Sequence, residues 1–112
     1  MEYYILIYTD NLPANVGGRA NGPVIRIKNK YRDDKGLLEH EKFHVRQWYF
    51  GLFIFHGLLY KFSDKYRFWS ETQAYKEQLK YSPGNLDLFA SFISKNYGLN
   101  VSVDEAKAAL IS

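Results

Sequence analysis

The sequence predicts an α+β domain: a sheet of two or three short strands with an edge strand, followed by about four helices. Two observations carry this. Strand-like patterns stop at Lys28, and the apolar residues beyond it recur at helical spacing. Strands first and helices afterwards favour a segregated sheet over a wound parallel one. A chain of 112 residues has room for one domain, taken as 1–112.

Tyr3 to Thr9 is rich in β-branched and aromatic residues and reads as a buried strand. Asp10 to Gly22 holds Asn, Pro and Gly and reads as a loop. Pro23 to Lys28 alternates, with Val24, Arg26 and Lys28 on one face and Ile25 and Ile27 on the other. Proline at its start suits an edge position. Asn29 to Gly36 is polar, and Asp33 or Asp34 can cap the helix that follows. That helix is expected to run to about Phe55, with a kink near Gly51 or Gly57. Ser63-Asp64-Lys65 breaks the chain before a second helix, Tyr66 to Lys80. Ser82-Pro83-Gly84-Asn85 separates it from a third, Leu86 to Tyr97, which Gly98 ends. A short helix, Glu105 to Ile111, closes the chain.

Composition narrows the function classes. A net charge of +3, with basic residues not striped on one face, is no nucleic-acid signature. Lys28, Lys30, Arg32 and Lys35 form the densest basic group and read as a solvated loop. There is no cysteine, which excludes disulfides, Cys-ligated zinc fingers and zinc deaminases. With no basic-then-apolar leader at Met1-Glu2-Tyr3-Tyr4, a cytoplasmic location is expected. The longest apolar run, Trp48 to Tyr60, is too short to span a bilayer and reads as a buried helix.

His40-Glu41-Lys42-Phe43-His44 is the informative motif. On a helix, i and i+4 share a face, so both imidazoles can hold one metal ion with the glutamate beside its water. The chain has three histidines, and two of them fall in this motif. A catalytic zinc needs a third protein donor. The third histidine of a metzincin is missing, because Gln47 and Phe50 occupy the positions that class reserves for glycine and histidine. His56 reads as a packed or surface side chain. Glu71 is the leading candidate, since Ser70 and Ala74 are small enough for its helix to approach the first. Asp64 is its rival, and Glu77 reads as exposed.

HExxH followed by a helix bearing Glu71 and Ala74 resembles the gluzincin group of zincin metallopeptidases. The segments His44–Gln47 and Glu71–Tyr75 also look like short, uncharacterised bacterial or phage zincin-like proteins. The resemblance covers about Pro23 to Lys80 and implies a small zincin-like domain. It implies that His40, His44 and Glu71 ligate Zn2+ and that Glu41 is general base toward the zinc-bound water. It implies peptide or protein substrates that add to an edge strand, here Val24, Ile25 and Arg26. Tyr75 would be the second oxyanion donor, with Tyr31 and Arg67 as alternatives. Gly17-Gly18 would form the cleft rim or a turn, and Gln47 a support for a ligand. Latency is a further expectation: Asn100 to Ser112 would occupy the cleft of its own chain or of a second copy. The alternative to an enzyme is a non-catalytic protein that zinc merely stabilises. A di-iron bundle would need a second ExxH, which the chain lacks.

Overall fold

The computed structural model describes residues 3–50 and 54–112, with the side chain of Ile54 left aside. Among the described residues the architecture is α+β, with three strands and five α-helices: β1 (Ile5–Tyr8), β2 (Gly18–Asn21), β3 (Val24–Ile27), α1 (Lys35–Phe50), α2 (Ile54–Phe62), α3 (Asp64–Leu79), α4 (Leu86–Asn96) and α5 (Val103–Ile111). The sheet order is β1-β3-β2, with β3 parallel to β1 and antiparallel to β2.

This order corrects two expectations. The stretch from Asp10 to Gly22 is not all loop, because Gly18–Asn21 forms a strand. Val24, Ile25 and Arg26 therefore belong to a central strand, not an edge: Val24 pairs with Ile5 on one side and Asn21 on the other. Pro23 is compatible with this because it sits in the turn, before the ladder begins. The turn itself is made by Gly22, whose φ of +58° is one an L side chain rarely adopts. β1 is not buried on both faces either: Leu6 and Tyr8 pack inward, whereas Ile5 and Ile7 are exposed.

The Asp34 side chain caps α1 by accepting from Leu37 N at 3.0 Å. A single helix reaching about Phe55 was expected; the described residues give α1 over Lys35–Phe50 and α2 over Ile54–Phe62, and what joins them lies outside the described residues. The kink expected at Gly51 lies outside the described residues, and Gly57 sits within α2. The run from Trp48 to Tyr60 is not simply a buried helix, since Phe50, Phe55, Leu58 and Leu59 are exposed. Ser63 caps α3 by accepting from Tyr66 N at 3.1 Å, so that helix starts at Asp64. α5 starts at Val103, two residues earlier than expected, because Ser102 and Glu105 form a reciprocal capping box.

The interior divides into two apolar clusters. Ile25, Ile27 and Val45, joined by Leu6, Tyr8, Ala20 and Leu38, fasten the sheet to α1. Tyr75, Phe89, Ile93, Ala106 and Leu110 fasten α3, α4 and α5 together. α3 packs along α1, with Ser70 and Ala74 fully buried. The polar residues described next lie between the clusters. No helix among the described residues is long and apolar enough to cross a membrane.

Candidate metal centre

α1 presents His40, Glu41, His44 and Gln47, and α3 presents Ser70, Glu71 and Tyr75. All are buried. Polar groups at this depth need hydrogen-bond partners or a cation. Glu71 Oε1 lies 3.2 Å from His40 Nε2 and 3.1 Å from His44 Nε2. One donor atom from each residue falls within 4.8 Å of the others. Tetrahedral zinc spaces its ligands roughly 3.3–3.5 Å apart, so both contacts fit one shared ion to within a few tenths of an ångström.

The orientation of His44 is fixed from behind. Its Nδ1 meets Gln47 Oε1 at 2.9 Å. Gln47 Nε2 donates to the Ser70 carbonyl at 3.3 Å and Ser70 Oγ donates to Gln47 Oε1 at 2.6 Å, which leaves Oε1 as acceptor. The Nδ1 proton of His44 therefore points at Gln47, and in the metal-free chain Nε2–H donates to Glu71 Oε1, the proton whose place a metal ion would take. His40 has a buried Nδ1 with no partner among the described residues, and its ring packs edge-on against Tyr75 at 4.2 Å.

The charges are tightly coupled. Burial alone would lower the pKa of His44, but Glu71 overrides it and raises the imidazole to about 9. Burial pushes Glu71 upward, yet His44 and His40 hold it well below the ordinary carboxylate range. Glu41, fully buried, is raised by desolvation; His40, His44 and Arg19 pull it back, while Glu71 pushes it further up. A buried carboxyl with an elevated pKa suits proton transfer.

Tyr60, which the sequence reading did not single out, comes from α2 and donates its phenolic hydroxyl to Glu71 Oε2. It thus holds the carboxylate oxygen that does not face the histidines. Tyr75 lies beside His40, but its hydroxyl bonds to Tyr97 at 2.7 Å. Burial, and then Glu71, raise its pKa. Arg67 is committed to the carbonyls of Tyr60 and Lys61 and to Asp64. Asp64, the rival ligand, is exposed in that ion pair and outside the cluster. His56 bonds Tyr66, and burial together with His44 lowers its pKa to about 4. Glu77 is partly exposed and pairs with Lys80 at 3.0 Å. Lys28 is no bystander in a solvated loop, because its Nζ binds the carbonyls of Pro13 and Ala14.

A cleft of about 1250 Å³ opens over the cluster. β2 and the residues leading into it form one wall, α2 another, and Phe92, Asn96 and Tyr97 of the α4 region extend it. Tyr31 contributes to the lining, whereas Val24, Ile25 and Arg26 do not. Gly18 makes the close approach: a Cβ built there would stand 3.3 Å from Glu41 Oε2. The C-terminal tail is not in its own cleft. Leu99, Ala106 and Leu110 are core residues on the α4 side, where truncation after Tyr97 would strip the interior.

Comparison with known proteins finds no matching family model, no matching curated protein and no matching solved structure.

Proposed function

We propose that the chain is a zinc-dependent peptidase of the minimal gluzincin type. The observation that carries the reading is the convergence of His40 Nε2, His44 Nε2 and Glu71 Oε1 within reach of one ion, with the Glu41 carboxyl buried beside them. Zinc bound there supplies a Lewis acid and a water acidified toward neutrality. His40 and His44 act as neutral donors, the latter held in register by Gln47 and Ser70. Glu41 takes the proton of the attacking water and returns it to the leaving amine. Tyr60 keeps Glu71 aimed at the imidazoles. The substrate is an extended peptide, and β2 replaces β3 as the strand to which it adds: of the two edges of the sheet, β2 is the one that lines the cleft.

The test is metal analysis of the purified chain with peptide cleavage by parent and Glu41→Gln. The variant should retain zinc and lose about 10²–10⁴-fold in kcat. Parental activity in Glu41→Gln defeats the mechanism.

The position of the cluster between two apolar interiors favours one competitor, a non-catalytic protein that zinc holds folded. That reading predicts unfolding by chelators and no cleavage of any peptide. It assigns no purpose to the buried carboxyl of Glu41.

A further inference from the structure

α2 turns its apolar side outward. Phe55, Leu58, Leu59 and Phe62 are 57%, 49%, 46% and 74% exposed. Their spacing of i, i+3, i+4 and i+7 places them on one stripe of roughly 100° of the helix surface. His56 and Tyr60 occupy another face and bond inward to Tyr66 and Glu71. Phe50 at the end of α1 and Trp69 on α3 add two further exposed large apolar side chains. Isolated exposed apolar residues are ordinary, but a full stripe on one short helix marks a binding surface.

We propose that this stripe docks the protein onto the surface of an anionic phospholipid bilayer. Charge decides between a lipid and other occupants. α2 contains no acidic residue. Lys61 flanks the stripe with its Nζ 5.4 Å from the Phe62 ring centroid, and Lys65, at the start of α3, is exposed. The nearby acid, Asp64, is paired with Arg67 at 2.6 Å. Phe55, Leu59 and Phe62 do not line the cleft and stand out from the helix, whereas Leu58 and Lys61 sit at the cleft rim. Exposed Phe and Leu, with lysine at the margin and no opposing carboxylate, complement an interface where acyl chains lie beneath negative headgroups. The protein lies on the bilayer without crossing it, in keeping with the length of the helices among the described residues. Gly57, Leu58, Tyr60 and Lys61 of the same helix line the cleft, so the bilayer would lie beside the cleft mouth.

Vesicle flotation of the full chain tests this, with and without a chelator, so that the outcome is independent of zinc and of peptidase activity. The probes are vesicles of phosphatidylcholine alone and of phosphatidylcholine mixed with phosphatidylglycerol. The parent should float with the mixed vesicles and leave them as salt rises. Phe62→Ser, an exposed position that leaves both cores intact, should weaken binding about tenfold or more. Lys61→Glu should weaken it at low salt only. The Trp69 emission should shift to the blue on binding. Absence of the parent from the mixed vesicles overturns the proposal. So does equal flotation of Phe62→Ser, or a stripe that instead holds two copies together, seen as a parental dimer that Phe62→Ser dissociates without vesicles.

Discussion

Zinc held as proposed would compete with protons for His44, and the surroundings of that ring set the terms. Glu71 raises the imidazole to about 9 against the opposing effect of burial. Zinc takes only the neutral ring. At pH 7 the ring must therefore give up a proton about two pH units below its pKa. This costs about 3 kcal/mol, or roughly a hundredfold in apparent affinity. Glu71 adds no second proton, because His44 and His40 keep its carboxyl ionised far below neutrality. The apparent Kd should fall about tenfold per unit from pH 7 to near 9 and then level off, with about one proton released per zinc at pH 7. Chelator competition across this range gives the slope. Calorimetry in two buffers of different ionisation heat counts the protons. A Kd that is flat from pH 7 to 9, with no proton released, refutes the ion-pair reading of His44 and Glu71.

The same pair governs the zinc-free chain. The raised pKa of His44 contributes stability that is complete below 6.5 and lost as pH rises through about 9. The lowered pKa of Glu71 contributes stability present above 4.5 and lost on acidification, while the elevated Glu41 adds to the loss on the alkaline side. Melting temperatures of chelated protein should therefore peak between about 4.5 and 6.5, below the optimum of the zinc-loaded chain. Tyr60→Phe should weaken zinc binding about 10–100-fold in chelator competition with little change in fold, because it frees Glu71 Oε2. At Gly18 a methyl group would meet Glu41 Oε2 at 3.3 Å and Cγ at 3.4 Å. Gly18→Ala should cost about tenfold in cleavage and Gly18→Val about a hundredfold at unchanged zinc affinity; a fully active valine variant refutes the contact's importance. Leu110→Ala, in the core formed by α3, α4 and α5, should cost about 2–5 kcal/mol in urea unfolding.

What could be read in the sequence was what periodicity and short-range chemistry encode. The i, i+4 histidines required a helix, and small Ser70 and Ala74 next to Glu71 predicted its close approach to α1. β2 escaped because Gly18-Arg19-Ala20-Asn21 alternates only between small and polar residues and has no β-branched or aromatic side chain; pairing with β3 makes it a strand. That omission, together with Pro23 at its start, turned β3 into an apparent edge. Tyr60 was hidden among ten tyrosines, since nothing local says that a separate helix will bring one of them to Glu71. Gln47 was visible as a neighbour of His44, but its role as acceptor depends on Ser70 across the helix interface. The Ser102–Glu105 box was legible and would have fixed the start of α5.

The molecule keeps its oil in two separate stores, one under the sheet and one among the last three helices, and its ionisable groups at the joint. A joint made of charges is a weak weld in water but a strong one around a divalent ion. Loading such an ion would make the halves melt as one, and withdrawing it would let each breathe on its own clock, a difference that amide exchange on Val45 and Ile93 would register.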